Sequence, residues 1–213
     1  MPIHYQIQQT PIQLLVWQQT EAAAFFWQQL ALERPQQQEI LQKYRHSSAR
    51  LDWLASRYAL QLLCGQSVAS FYKDKAGKLR VADNPFYYSI SHSGNFVAAV
   101  QAPQTVGVDI QIPNTKLTRI AHKYIAPQTL AMLYAQPEQQ QDYLHYYWGI
   151  KEALFKAYGK GQVNFIQHLH IIPFEASTEG TTLARLQKPT EEAWYKIFYK
   201  KTADYYLCAA VAL

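Results

Sequence analysis

The feature that most restricts this chain is a hydrophobic period that changes three times, from helical to alternating, back to helical and again to alternating. In residues 21–32 the apolar Ala24, Phe25, Trp27, Leu30 and Ala31 recur at helical spacing, and in residues 49–63 Leu51, Leu54, Tyr58 and Leu62 do the same. The first half is therefore expected to begin with helices. Short β-type runs follow at residues 87–91, 96–102 and 105–110, separated by Ser93-Gly94-Asn95 and Ala102-Pro103-Gln104, and they read as consecutive strands of an antiparallel meander. Helical spacing returns at residues 117–124, after Pro127, and most strongly at residues 137–158, where Gly159 suits a C-terminal cap. Residues 194–200 and 205–211 then have the aromatic and β-branched content of closing strands. The glutamine clusters at residues 36–38 and 139–141 sit beside prolines as polar helix starts or loops.

Helices then strands, twice, predicts an α+β fold of two similar halves, residues 1–104 and 105–213, with no long linker and a ligand-binding cleft between them. The 213 residues are 49% hydrophobic and only 16% charged, which excludes a disordered or fibrous chain. A net charge of +5 favours anionic ligands or acidic partners. No nucleic-acid motif accompanies the aromatic residues, and the expectation is no nucleic acid. Cys64 and Cys208 lie far apart without metal-type spacing, as small core residues of a reducing compartment do. No run of about 18 apolar residues would span a bilayer, and the first residues lack a leader pattern; the expectation is a cytoplasmic protein without membrane association.

Three segments carry chemistry. Residues 105–111 alternate, with Val106, Val108 and Ile110 on one face and Gly107, Asp109 and Gln111 on the other. Asp109 could offer oxygen to Mg²⁺, with Gly107 leaving room for a polyphosphate to approach the backbone; a solvated Asp on a polar strand face is the alternative. In the strongest helix Trp148, Glu152 and Lys156 are spaced by four, which suits either a site or an ordinary helical ion pair. Tyr88-Ser89-Ile90-Ser91-His92-Ser93-Gly94 places hydroxyls and an imidazole before a turn, where they could hold phosphate oxygens or serve as structural hydrogen bonders. Ser91 and His92, as strand neighbours, point to opposite faces, which argues against a serine hydrolase. His168-Leu169-His170 has no acidic or Cys companion and is read as structural.

Taken in order, Ser89-Ile90-Ser91-His92-Ser93, Gly107-Val108-Asp109 and the Trp-x-x-Lys-Glu-Ala-x-x-x-Lys run from Trp148 resemble the Sfp-type 4′-phosphopantetheinyl transferase family over about residues 45–165, with Gly77-Lys78 similar to its Gly-Lys-Pro segment. The resemblance implies two pseudo-symmetric α+β halves that bind coenzyme A and Mg²⁺ between them and move the phosphopantetheine arm to a serine of an acyl or peptidyl carrier protein. It implies Asp109 and Glu152 as Mg²⁺ ligands and Lys78, Ser91 and His92 as phosphate ligands. Lys156 would stabilise the departing 3′,5′-ADP, and Glu152 or a metal-held water would take the serine proton. Arg50, Arg57 and Lys151 join the set as further coenzyme A contacts. Gln111 stands where many relatives have a second acid, a third metal position with one negative charge fewer, and Leu79 replaces the proline. The alternative is a coenzyme A- or nucleotide-binding protein that has lost turnover.

Lys116, Arg119 and Lys123 form a basic stripe after the Asp109 strand, either a solvated helix face or a dock for an acidic partner. The resemblance implies a carrier protein there. Fused halves would suit a monomer.

Overall fold

The computed structural model describes residues 3–213. The chain divides into two compact units, one ending at Pro103 and the other running from Gln104 to Leu213.

The first unit opens with strands, not with helices. β1 (Ile3–Gln9) and β2 (Ile12–Gln18) form an antiparallel pair ahead of α1 (Ala23–Leu30), α2 (Arg34–Lys43) and α3 (Ser47–Cys64). Their glutamine-rich surface breaks the apolar alternation that would reveal β1 as a strand. The glutamine cluster at residues 36–38 has a local role: Gln36 accepts from the Glu33 N–H at 3.0 Å in a capping box that starts α2. β3 (Phe71–Lys73), β4 (Leu79–Val81), β5 (Tyr87–Ser93) and β6 (Phe96–Ala102) complete a sheet ordered β1-β2-β6-β5-β4-β3. The core places Leu15 and Trp17 of β2 and Val97 and Ala99 of β6 together with Leu54, Ala55 and Tyr58 of α3. Tyr58 meets the ring edges of Trp17 at 5.0 Å and Phe25 at 5.4 Å, the arrangement that aromatic quadrupoles favour.

The second unit begins with β7 (Val106–Gln111), followed by α4 (Lys116–Ile120), α5 (Pro127–Tyr134) and α6 (Gln140–Tyr158). β8 (Leu169–Ile171), β9 (Glu179–Lys188), β10 (Glu191–Lys201) and β11 (Tyr206–Ala212) follow, in a sheet ordered β7-β11-β10-β9-β8. The expected meander therefore stops at β6: β7 leaves that sheet and pairs with β11, Asp109 opposite Cys208 and Gln111 opposite Tyr206. Periodicity marks a strand but not its partner, so the alternation at residues 105–111 could not show this exchange. Each unit thus runs strand, helices, strands, which corrects the helix-first order read from the sequence.

α6 is the organising helix of its unit. Tyr146, Ile150, Ala153, Leu154 and Ala157 press on Ala184, Leu186, Ile197, Cys208 and Ala210. The helix stops at Gly159, whose φ of 71° suits a residue without a Cβ and whose N–H reaches the Phe155 carbonyl. Its backbone lies so close to β7 that a Cβ at Gly107 would overlap the Ala153 carbonyl oxygen and stand 2.6 Å from the Ala157 nitrogen. The space at Gly107 is therefore filled by the helix, a correction to the expectation that it admits a polyphosphate. Gly107→Ala is expected to cost about 3 kcal/mol of stability in urea unfolding, since neither backbone can yield without moving the helix; an unchanged midpoint would mean that the two elements can separate at little cost.

Candidate active site

Asp109 is only 6% exposed, enclosed between β7 and α6, so the solvated alternative for this residue does not hold. Its Oδ1 accepts from Lys156 Nζ at 2.7 Å, and the same ammonium donates to the Val108 carbonyl at 3.0 Å. Lys156 thus reaches across to the strand as well as lying one helical turn from Glu152. Gly149 makes this approach possible: a Cβ there would stand 2.9 Å from Cys208 Sγ and 3.8 Å from Asp109 Oδ2. Two glycines, one on each element, let a helix and a strand meet closely enough for their charged side chains to share one place.

Glu152, half-buried on α6, belongs to the same electrostatic set. Burial raises its pKa, the negative charge of Asp109 raises it further, and Lys156 lowers it. Two carboxyl groups that repel one another across a helix–strand seam, with one ammonium between two negative charges, form an incompletely neutralised cluster. Gln111 follows Asp109 by two residues on the same strand, at an intermediate exposure. Among the described residues no group of three or more His, Cys, Asp and Glu gathers. The donors are two carboxylates and a nearby amide, all oxygen, the chemistry that a hard divalent cation prefers. They fit such an ion.

Lys151 faces away from this cluster. It is 4% exposed, its Nζ donates to the Phe165 carbonyl at 2.5 Å, and burial brings its pKa down to about 8. It ties α6 to the loop after the helix. Trp148 does related work, edge-on to Tyr124 at 5.2 Å and tilted toward Phe165 at 6.2 Å.

The first unit holds the other expected residues. A cavity of about 350 Å³ is lined by Trp53, Ser56 and Arg57 of α3, Lys73 of β3 and His92 of β5, with Asp52 beside them. Arg57 lies over the Trp53 ring at 5.1 Å, its Nη1 is buried without a hydrogen-bond partner, and burial lowers its pKa. A buried guanidinium nitrogen lacking an acceptor is costly unless an anion supplies one. Asp52 Oδ2 stands 3.9 Å from His92 Nδ1. Ser91, 7% exposed, lies on the opposite strand face from His92 and does not line this cavity. Lys78 sits in the β3–β4 turn, where Asp74 Oδ1 accepts the Ala76 and Lys78 N–H groups and Gly77 takes a φ of 77°. Burial brings the Lys78 pKa down to about 8. Arg50 lies outside this cavity lining, its guanidinium donating to the Tyr44 and Arg45 carbonyls at 3.3 Å.

Trp53, Lys73 and Asp52 were not among the residues expected from sequence. The available signal was the spacing of Ala49, Asp52, Trp53, Ser56 and Arg57, which puts them on one helical face.

The acidic cluster is expected to show its coupling directly. In Asp109→Asn the Glu152 carboxyl should titrate at a lower pH than in the parent, and in Lys156→Met at a higher one, as followed by carboxyl ¹³C NMR. A Glu152 titration unmoved by both substitutions would mean that the three groups do not share one field.

A family model described as the 4′-phosphopantetheinyl transferase superfamily matches residues 105–211. That match begins later and ends later than the stretch carrying the motif resemblance, and it coincides with the second unit. Among curated proteins, a 4′-phosphopantetheinyl transferase of Bacillus subtilis is 32% identical over 94 residues, 43% of this chain and 42% of that protein. The 4′-phosphopantetheinyl transferase Sfp of Bacillus subtilis strain 168 is 31% identical over 93 residues, 43% of this chain and 42% of its own. The psf-1 transferase of Bacillus pumilus is 33% identical over 93 residues, 43% of this chain and 40% of that one. The chain spans less than half the length of these relatives in the matched stretches.

Proposed function

Since this chain belongs to the 4′-phosphopantetheinyl transferase superfamily, we propose that it moves the phosphopantetheine arm of coenzyme A to a serine hydroxyl of an apo acyl or peptidyl carrier protein, in the manner of a holo-[acyl-carrier-protein] synthase. The observation that carries this reading is the meeting of Asp109, Glu152 and Lys156 at the β7–α6 seam, within the stretch that the family model matches.

Asp109 and Glu152, with Gln111 nearby, are the residues that would hold Mg²⁺. When bound, the ion would supply charge neutralisation for the pyrophosphate of coenzyme A. In the transfer itself the serine oxygen forms a bond to the phosphorus that carries the pantetheine arm, and the bond from that phosphorus to the oxygen of 3′,5′-ADP breaks. Glu152, whose pKa is raised by burial and by Asp109, would take the proton of the attacking hydroxyl. Lys156 would offer its ammonium to the negative charge that builds on the leaving group, since phosphoryl transfer depends mainly on position and charge. It now spends that charge on Asp109 Oδ1.

The cavity in the first unit supports a phosphate-binding role. Arg57 and His92 line it together with Lys73, which we add to the set. A phosphate oxygen would give Arg57 Nη1 the acceptor that it lacks. Lys78 and Ser91 remain proposed phosphate ligands outside that cavity. Lys151 and Arg50 are reassigned to holding the loop after α6 and the end of α2.

No helix among the described residues is long and apolar enough to cross a membrane. A carrier protein acidic around its serine would be drawn to the stripe of Lys116, Arg119 and Lys123, the last two exposed at and just beyond the end of α4. A monomer working in the cytoplasm is the setting that we propose.

The deciding experiment incubates the chain with apo carrier protein, coenzyme A and Mg²⁺ and weighs the carrier. A mass gain of one phosphopantetheine is expected; coenzyme A binding with no gain on any carrier would leave a binding protein instead. Asp109→Ala and Glu152→Ala should each lower the transfer rate by about 10²- to 10³-fold, the size of effect that a lost transition-state charge contact has. Either variant working at near-parental rate under limiting Mg²⁺ would remove that residue from the reaction. Charge reversal of Arg119 and Lys123 is expected to raise the KM for carrier protein and leave the KM for coenzyme A in place; an equal rise in both would argue against docking at this stripe.

A further inference from the structure

His145 lies two turns before Glu152 on α6 and is 2% exposed, yet its two ring nitrogens serve different elements. The Asn114 backbone N–H donates to Nε2 at 2.9 Å, and Nδ1 stands 2.7 Å from the Gln141 carbonyl oxygen. A ring nitrogen that receives an amide proton must offer a lone pair, so the proton sits on Nδ1 and is donated to Gln141. The imidazole is neutral in this arrangement, and burial, which lowers its pKa, keeps it so.

The ring is held against an aromatic face. It stacks on Tyr206 of β11, with centroids 4.2 Å apart and planes 14° apart. The Tyr206 hydroxyl donates to Asp142 Oδ1 at 2.5 Å, and Lys201 Nζ of β10 donates to both oxygens of Asp142 at 2.7 Å. One carboxylate, one ammonium and one phenol from α6, β10 and β11 therefore fix the plane in which Nε2 points.

Nε2 points at the start of a functional element. Asn114 lies in the connection between β7, which carries Asp109 and Gln111, and α4, which opens the basic stripe. Its side-chain Oδ1 accepts the Lys116 N–H at 2.8 Å and its carbonyl accepts the Leu117 N–H at 3.4 Å, so this residue sets the first turn of α4. Within α6 a carbonyl can serve the Nδ1–H, but the helical N–H groups are already spent on carbonyls one turn back, so Nε2 must find its donor on another element. Here one nitrogen is given to another element.

We propose that His145 is a positioning residue, a neutral imidazole latch that fixes the β7–α4 connection, and with it the basic docking helix, to the helix that bears Glu152 and Lys156. The docking part of this inference rests on the transferase reading; the latch itself does not.

Two variants and three measurements test it. His145→Phe keeps a flat ring against Tyr206 and removes the acceptor; His145→Gln carries an amide oxygen to about the place of Nε2. Amide exchange at Asn114 should quicken by about tenfold in the Phe variant, the scale of one lost hydrogen bond, and return toward the parental rate in the Gln variant. Imidazole ¹⁵N NMR of the parent should show the Nδ1–H tautomer. In steady-state transfer the Phe variant should raise the KM for carrier protein by roughly five- to tenfold, with kcat and the KM for coenzyme A within about twofold, and the Gln variant should recover it.

Asn114 exchange unchanged in His145→Phe, or an Nε2–H tautomer, would overturn the latch. Carrier and coenzyme A constants moving together, or no recovery in the Gln variant, would overturn its docking role. Should His145→Phe fail to fold, the tautomer of the parent and the exchange and kinetics of His145→Gln decide the matter. A parental protein that transfers nothing sinks the transferase reading and the docking role with it, while exchange and tautomer still decide the latch.

Discussion

The arrangement in the second unit depends on backbone contact between β7 and α6. At Gly107 the strand has no side chain and the helix backbone occupies the vacant place; at Gly149 the helix has none and Cys208 and Asp109 come near. Only at such a distance can Lys156 reach both the Val108 carbonyl and Asp109 Oδ1, and only there does Asp109 bear on the titration of Glu152. Burying like charges is unfavourable, and the surrounding apolar seam of Ile150, Ala153 and Cys208 sets that cost against the burial of a large shared surface. The charged cluster exists because the packing around it leaves the two elements no other separation.

Much of this was legible in the sequence, and what was not has physical causes. α3 and α6 announce themselves by apolar residues at helical spacing, and β5, β6, β7, β10 and β11 by alternation and β-branched content. That Asp109 shares a strand face with Gly107 and Gln111, and Glu152 a helix side with Lys156, was readable because spacing within one strand and one helix fixes which residues share a side. Partnership between distant segments has no such local mark. Hence β1 and β2 were missed, β7 was joined to the wrong sheet, and Gly107 was credited with space that the helix fills. The carbonyls that Lys151 and Arg50 serve likewise had no mark in the sequence.

The first unit holds a cavity whose lining has the charge that the proposed phosphate role needs. Arg57 carries a desolvated guanidinium on an aromatic face, and Lys73 and His92 line the same cavity. Positive groups do not cluster in a half-buried place without cost. The nearby Asp52 supplies one opposing charge. That balance, Arg57 and Lys73 against Asp52 around an open volume, would suit a negatively charged ligand.

The position of β11 has a consequence for how the protein comes into being. This strand lies between β7 and β10, so among the described residues the segment bearing Asp109 finds its sheet neighbour in ones that leave the ribosome long after it. Until they emerge, β7 lacks its sheet partner and α6 has half a surface to rest on. Closing so distant a pairing is slow, because chain entropy is lost before contacts repay it. The half-made chain is thus barred from assembling its Asp109–Lys156 cluster early, and its exposed strand is the place where a nascent polypeptide of this kind is most in need of protection from its neighbours.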